Sequence, residues 1–275
     1  MLSLNSSNSL NSTEASPPST PLLNVSDMQY FSVGDGDGIR TTLVLKGCNL
    51  RCPWCHNPET ISAEVQTLSY GNGKCLTYGR RATAEELFPL LARDAEFFKA
   101  SGGGVTVSGG EPLLQSRALV PLLTLLRQSG IHVIIDTAAS LPQRHIEDVV
   151  DLCDCFFVDY KSPRPSVYRD LIGGSLELVE QSIRLLTERG KELHIRIPVI
   201  PGVNNGEDDL LTSRDRLAAL GVNRVDLLPF HRLGSGKYSA MGLSYPFAST
   251  KPPARDEMER AAEIFGQRFT VTIEK

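Results

Sequence analysis

Short apolar runs rich in β-branched and aromatic residues alternate with longer amphipathic stretches from residue 41 to the C-terminus. This alternation is typical of repeated strand–helix units, which build a parallel sheet with helices packed on it. The predicted strands are 41–46, 105–108, 132–136, 156–161, 194–200, 224–228 and 269–273. Periodicity alone leaves two architectures open, a closed or partial barrel and an open doubly wound sheet.

The segments between the strands carry helical apolar spacing. Thr83 is followed three residues later by Glu86, which predicts a capping box at the start of the first helix, and Pro89 predicts a kink within it. Further helices are predicted over 115–128, 142–152, 176–189, 208–220 and 254–266. For an α/β chain of 275 residues we expect a single catalytic unit.

The first 27 residues are rich in Ser, Asn, Thr and Pro, and the first cation of the chain is Arg40. We interpret 1–27 as a disordered tail and 28–275 as the catalytic domain. The tail lacks the cation and apolar core of a secretory signal and the arginines of a transit peptide, so the expected location is the cytoplasm.

The charge pattern argues against a polyanionic partner such as nucleic acid. The net charge is −4, acidic and basic residues are interspersed, and no run of Lys or Arg predicts nucleic-acid binding. No apolar stretch approaches eighteen residues, so we expect no membrane span.

Three of the six cysteines fall within eight residues, as Cys48, Cys52 and Cys55 in the spacing CxxxCxxC. Three thiolates on a cubane iron-sulfur cluster, which normally needs four, leave one iron open to a substrate. The alternatives are a structural zinc site completed by His56, in a non-enzymatic binding module, or buried thiols. The other cysteines suggest no site: Cys153 and Cys155 are interpreted as small apolar residues, and Cys75 as a free thiol.

Other residues that are unusual in a sheet stand where predicted strands end. Gly109, Asp136, Lys161, Pro201 and His231 each lie at the carboxyl end of a strand or in the loop that follows it. In a barrel these ends converge on one face, where active sites are built. The cysteine loop follows the first predicted strand and is expected on the same face.

The segment CNLRCPWCHNPE, from Cys48, resembles the cluster loop of the radical S-adenosylmethionine (SAM) superfamily, specifically of the glycyl radical enzyme activating enzymes. The resemblance runs from about Phe31 to the C-terminus. Within this group the sequence is most similar to the pyruvate formate-lyase activating enzymes, partly through KPPARDEMER. Further matching segments are DGDGIRTTLVLKGC, GGGVTVSGGEPLLQ, DTAAS, VDYK, RIPVIPGVNN and LLPFHRLGSGKY. The resemblance implies a partial (βα)6 TIM-like barrel of the radical SAM type.

The resemblance also implies a radical SAM oxidoreductase. Its cofactors would be one [4Fe-4S] cluster on the three cysteines and SAM, which reductive cleavage converts to a 5'-deoxyadenosyl radical. That radical would take a hydrogen atom from a backbone glycine of a partner, pyruvate formate-lyase or a relative. A flavodoxin or ferredoxin-type protein would supply the electron. The alternative keeps the radical chemistry but directs it at a small molecule.

Residue roles follow from the resemblance, position by position. Gly109 and Gly110 would let backbone approach the methionyl group, Glu111 would hold its amino group, and Trp54 would pack on the adenine. The full set of expected cofactor contacts is Trp54, Cys55, His56, Gly109, Gly110, Glu111, Tyr160, Lys161, Ser162, Arg196 and His231. A monovalent cation is expected at Asp136, Thr137 and Asp159. The residues alone leave other roles open. The glycines and Glu111 could form a tight turn, Trp54 could be a core residue, and the two aspartates could cap helices. Arg196 could make a structural ion pair, Lys161 could face solvent, and His231 could be structural.

The sequence departs from this pattern at three places. Asp37 stands where the family usually has proline, and Ala138 and Ala139 follow Asp136–Thr137 where Asn or Ser and then Gly are usual. Many relatives carry a ferredoxin-like insert with further cysteines before the GGE turn. Only Cys75 falls in that interval here, so we expect one cluster and interpret 62–81 as a remnant of the insert.

Overall fold

One mostly parallel sheet organises the molecule. The computed structural model describes residues 20–71 and 73–274. Its nine-stranded sheet has the order β11-β10-β9-β8-β7-β6-β2-β1-β5, and β3 and β4 form a separate hairpin. The strands are β1 Leu23–Ser32, β2 Arg40–Leu45, β3 Gln66–Ser69, β4 Cys75–Tyr78, β5 Arg80–Ala82, β6 Gly104–Gly109, β7 His132–Thr137, β8 Cys155–Asp159, β9 Glu192–Val199, β10 Arg224–Pro229 and β11 Thr270–Ile273.

Helices connect the parallel strands. They are α1 Ala84–Leu91, α2 Ala95–Ser101, α3 Ser116–Gln128, α4 Arg144–Glu147, α5 Leu176–Glu188, α6 Glu207–Ala219, α7 Ser235–Ala240 and α8 Arg255–Gly266, with a π-helical turn at Val167–Ile172. None of the helices in the described ranges is long and apolar enough to cross a membrane.

The seven strands from β2 through β6 to β11 all pair in parallel with their neighbours. The antiparallel strands β1 and β5 extend the β2 side, and the order leaves β5 and β11 as unpaired edges among the described strands. The α/β fold with a mostly parallel sheet is thus confirmed. The two unpaired edges exclude a closed barrel for the described strands.

Side chains of each strand alternate between the helices and the interior of the sheet's curve. On β6, β7 and β8, the fully buried Val107, Ile135 and Val158 join the main apolar core. Their neighbours Ser108, Asp136 and Asp159 carry polar groups and face the interior, where they line one cavity. The two-residue period of the strands therefore places the apolar core on the helix side of the sheet and the polar side chains inside its curve.

The predicted tail boundary is wrong. Residues 23–32 form β1, in which Leu23 and Val25 are buried and Val25 pairs with both Leu45 and Arg80. The Ser- and Asn-rich composition concealed apolar residues spaced for a strand whose partners lie far along the chain. Residues 1–19 of the proposed tail lie outside the described residues.

The helix predictions hold in type, with changes in extent. The capping box is present: Glu86 N–H donates to Thr83 Oγ1 and Thr83 N–H to the Glu86 carboxylate. The predicted helix over 142–152 is wrong in extent, since it is broken into α4 and a 3-10 turn, Val150–Leu152. The break is at Val149, a β-branched residue with a φ of −125° outside the helical range.

The 62–81 interval contains strands that the sequence did not predict. β3 and β4 pair antiparallel from Gln66–Tyr78 to Ser69–Cys75, and β5 then pairs with β1. The interpretation of this interval as a remnant of a larger insert stays a prediction.

Candidate functional site

The cysteine loop follows β2 and lines a cavity of about 280 Å³ at the carboxyl ends of the parallel strands. Cys48, Cys52 and Cys55 all border this cavity, and no other cysteine of the described ranges does. Backbone bonds fix the loop on both sides: Cys48 N–H donates to Ile61 O at 3.0 Å, and Arg51 N–H to Ile172 O at 2.8 Å. The three sulfurs are therefore presented by a braced loop.

The thiols sit in a desolvating environment. Burial raises the pKa of Cys48 to about 11 and that of Cys55 to about 12, and it also raises the pKa of Cys52, which Lys161 opposes. The thiols are protonated until a metal centre takes them as thiolates, with release of protons. Three sulfur donors around one cavity fit a cubane cluster that keeps one iron open.

Two glycines join the turn after β6 to the start of the cysteine loop. A Cβ on Gly109 would lie 2.2 Å from Leu45 O, and one on Gly110 would lie 2.4 Å from Gly47 O. Gly110 N–H also donates to Leu45 O at 3.0 Å. The glycines line the cavity, but the atoms that require them are backbone atoms of the preceding loop. Packing within the chain thus already requires glycine at both positions, and the expected approach of their backbone to the methionyl group stays a prediction.

The side chain of Glu111 is held by hydrogen bonds within the protein, and its expected contact with the cofactor stays a prediction. The carboxylate is fully buried, does not line the cavity, and accepts from Thr137 Oγ1 at 2.6 Å, Ala138 N–H at 2.9 Å and Leu113 N–H at 3.1 Å. Burial raises its pKa to about 7, against these three hydrogen bonds. It ties the turn after β6 to the turn after β7.

The turn after β7 contains the departure from the family's glycine. Ala139 has a φ of 52°, in the left-handed region that favours glycine, and its side chain is fully buried. Its N–H donates to Thr137 Oγ1 at 2.9 Å, and its carbonyl accepts from Ser182 Oγ at 3.1 Å. The turn therefore keeps the unusual backbone conformation, and hydrogen bonds on both sides hold the alanine in it.

Charged side chains at the ends of β7, β8 and β9 form the polar wall of the cavity. Lys161 Nζ lies 2.6 Å from Asp159 Oδ2, and although burial lowers the pKa of this lysine, Asp159 raises it above its usual range. Arg196 Nη1 lies 3.6 Å from Asp136 Oδ2 and Nη2 lies 2.9 Å from Glu274 Oε2. The buried Nε of Arg196 has no partner. The wall thus retains one unsatisfied cationic donor.

The strand alternation separates two of the expected contacts from this wall. Tyr160 lies between the two inward-facing residues of its strand end, so its side chain points to the helices and its hydroxyl donates to Glu180 Oε1 at 3.1 Å. Ser162 is buried and accepts from Arg164 N–H at 3.2 Å. Neither side chain lines the cavity, and the contacts with the cofactor that are expected of these two residues stay predictions.

An aromatic wall faces the charged one. Trp54 lines the cavity while 8 % exposed, and its ring meets that of Phe247 edge-on at 5.8 Å, so it is both a core residue and a wall of the site. His56 and His231 also line the cavity, with ring centroids 4.3 Å apart. Burial, with His231 and Lys237, lowers the pKa of His56 to about 4, so its imidazole is neutral near pH 7.

The structure adds a contact that the sequence did not predict. Lys237 Nζ lies 2.7 Å from Asn57 Oδ1 and 2.6 Å from Glu59 Oε1, so it joins α7 to the end of the cysteine loop. Both segments belong to the matching motifs, HNPE and LGSGKY, and that shared membership was the available signal.

Comparison with known proteins agrees with this geometry. The model of the radical SAM superfamily matches residues 42–213. Pyruvate formate-lyase 2-activating enzyme of Escherichia coli (strain K12) is 33 % identical over 266 residues, covering 89 % of this chain and 91 % of that protein. The chain belongs to the radical SAM superfamily, among its activating enzymes. This confirms the resemblance inferred from the cysteine loop.

Other relatives of this radical SAM enzyme carry names of the same kind. Benzylsuccinate synthase activating enzyme of Thauera aromatica is 31 % identical over 303 residues, covering 90 % of this chain and 92 % of that one. A solved domain of pyruvate-formate lyase-activating enzyme from Bacteroides vulgatus ATCC 8482 is 29 % identical with a TM-score of 0.54, covering 63 % of this chain and all of that chain.

Family membership gives this radical SAM enzyme its cofactors, a [4Fe-4S] cluster and SAM. The residues present fit both. The three cavity cysteines offer thiolates for the cluster, and Lys161, Arg196 and the neutral His56 line the same cavity.

Proposed function

We propose that this enzyme activates pyruvate formate-lyase or a closely related glycyl radical enzyme by removing a hydrogen atom from one of its backbone glycines. The observation that carries the proposal is the cysteine trio on a cavity that opens at the carboxyl edge of an incompletely closed sheet. An open edge admits an extended peptide where a closed barrel excludes it. The names of the curated relatives support a protein as substrate.

When bound, the cluster and SAM supply a strongly oxidising carbon radical, and the chain's own residues position the reactants. We propose that Trp54, His56 and His231 contact the adenosine part, and that Lys161 and Arg196 contact the methionyl carboxylate. The unpartnered Arg196 Nε supports the latter, because a buried guanidinium donor gains most from an anionic acceptor. Gly109 and Gly110 present backbone at the same wall.

We also propose the expected monovalent cation site, where two basic side chains already contact the carboxylates that would bind the cation. Asp136, Thr137 and Asp159 all line the cavity, so their oxygens share one space. The two carboxylates already contact Arg196 and Lys161, and a bound cation must compete with those side chains. We also propose a flavodoxin or ferredoxin-type electron donor and a cytoplasmic location, where a reducing environment preserves thiolate ligands.

The test combines the reduced, cluster-loaded enzyme and SAM with purified candidate glycyl radical enzymes under anaerobic conditions. The expected result is a glycyl radical signal in electron paramagnetic resonance from pyruvate formate-lyase or a relative, with formation of 5'-deoxyadenosine. The matched control replaces the target glycine with alanine and should give no such signal. Cleavage of SAM without a radical on any candidate would reject the proposed target class while leaving the radical chemistry standing.

A further inference from the structure

A second, smaller cavity of about 90 Å³ lies at the opposite, amino-terminal end of the parallel strands. Cys155, Glu192 and His194 line it. On β8, Cys155 has the same side-chain direction as the cavity residue Asp159, and on β9, His194 has that of Arg196. The small cavity is therefore inside the curve of the sheet, at the other end from the catalytic site.

Strand register brings three metal-ligating side chains together there. Cys155 on β8 is the paired neighbour of Glu192 on β9, and His194 follows Glu192 by two residues on the same face. One ligand atom from each lies within 4.8 Å of the other two. The donors of a tetrahedral zinc site are roughly 3.3–3.6 Å apart, given bonds of about 2.0–2.3 Å. The His194 Nε2 to Glu192 Oε1 distance is 3.4 Å.

A fourth residue orients the imidazole. Asp226 on β10 places Oδ2 at 3.0 Å from His194 Nδ1, and both side chains are buried. This carboxylate selects the tautomer with a proton on Nδ1, so the lone pair of Nε2 points toward Glu192. A carboxylate behind the distal nitrogen is the usual support of a metal-bound histidine.

We propose that Cys155, Glu192 and His194 bind one Zn²⁺, with water at the fourth position. The thiolate and the carboxylate together neutralise the ion. The ion would join β8 to β9 directly and to β10 through Asp226. Glu192, with a side chain 59 % exposed, leaves a path for the metal from solvent.

The experiment uses cluster-loaded enzyme, whose cavity cysteines are already occupied by iron. Anaerobic dialysis against chelator-buffered Zn²⁺ is followed by measurement of zinc, iron and sulfide in the same sample. We expect one zinc per chain with no loss of iron. X-ray absorption at the zinc edge should show one sulfur at about 2.3 Å and lighter ligands at about 2.0 Å.

Substitutions assign the ligands. Cys155→Ala and His194→Gln should abolish stoichiometric binding, and Asp226→Asn should weaken it about 10- to 100-fold. Glu192→Gln, at an exposed and therefore tolerant position, should weaken it at least about tenfold and keeps the test valid if a buried variant fails to fold. The matched control is Cys153→Ala, a buried cysteine two residues away that lies outside the cavity and should retain zinc.

Three results would overturn the proposal: no zinc bound to the cluster-loaded enzyme, zinc retained at full affinity by Glu192→Gln and Cys155→Ala, or zinc gained only as iron is lost. The rate of SAM cleavage is measured on the same samples and reports on the catalytic site alone. A zinc result therefore leaves the proposed activating function unaffected, and the reverse also holds.

Discussion

Replacing Gly110 with alanine tests how tightly the turn after β6 is packed against the cysteine loop. The added Cβ would lie 2.4 Å from Gly47 O and 2.9 Å from Thr60 O. Both obstacles are backbone oxygens, so no side-chain rotation relieves them. Gly47 must retreat by about 1 Å to reach ordinary contact at 3.4 Å. The next residue is Cys48, so the first cluster ligand moves with it.

That displacement should lower both the stability of the protein and the rate of SAM cleavage. Overpacking of this kind destabilises a protein by about 1–3 kcal/mol, and each kcal/mol lowers the melting temperature of a chain this size by roughly 2–4 °C. A shift of about 1 Å in a reacting group costs on the order of 100-fold in rate. We therefore expect Gly110→Ala to lose more in SAM cleavage than in cluster content.

The assay measures iron, sulfide, melting temperature and 5'-deoxyadenosine formation on one anaerobic preparation. Gly266→Ala is the control, because Gly266 ends α8 far along the chain, is exposed, and has open space around its Cβ position. That variant should gain about 0.5–1 kcal/mol from helix propensity with unchanged turnover. Gly110→Ala with normal stability and normal SAM cleavage would refute the packing argument.

Three further predictions follow from the site. Cys52→Ala should abolish the cluster and SAM cleavage together, whereas Cys75→Ala, at an exposed thiol in β4, should spare both, as iron content and 5'-deoxyadenosine would show. Tyr160→Phe should lower stability by about 1 kcal/mol through the lost bond to Glu180 and leave SAM cleavage within about twofold; a large rise in the KM for SAM would contradict this. Burial raises the pKa of Glu111 from 4.5 to about 7, so its stabilising contribution is complete below pH 4.5 and is lost, by about 3 kcal/mol, as the pH rises through 7. Glu111→Gln should remove this loss, and equal pH dependence of the two melting temperatures would count against it.

The sequence predicted that the cysteine loop and the strand ends meet on one face, because these signals are local. The cysteine spacing lies within one loop, and the residues at strand ends converge by the geometry of any parallel sheet. All seven parallel strands were found because each is a short apolar run between helices. Strand β1 was missed because it lies before the repeat, in a polar segment whose partners become evident only from the folded sheet.

Side-chain direction limited the residue predictions. The resemblance assigned Tyr160, Lys161 and Ser162 to the site together, yet a strand end presents alternate residues to opposite faces. Only Lys161 among them lines the cavity. The hydrogen bonds of the Glu111 carboxylate could not be predicted, because their three donors come from the segments that follow β6 and end β7. Local sequence patterns do not connect these two segments. The zinc ligands are harder still, because the pairing of Cys155 with Glu192 depends on register.

The interior of the curved sheet contains polar groups at both ends, and the small cavity at the amino-terminal end is also lined by a separate apolar cluster of Ile134, Cys155 and Phe157. The ring of Phe157 stacks on His194 with centroids 4.7 Å apart, and its centroid lies 5.3 Å from the Arg196 guanidinium. Charges in so confined a space destabilise the fold unless they are paired. At the catalytic end, Asp136 and Glu274 pair with Arg196 and leave only its Nε unsatisfied, which an anionic cofactor group would complete. At the other end, His194 contacts Glu192 and Asp226, and the proposed Zn²⁺ would take Cys155, Glu192 and His194 as ligands. The two proposals therefore assign a ligand to each polar end of the same sheet interior.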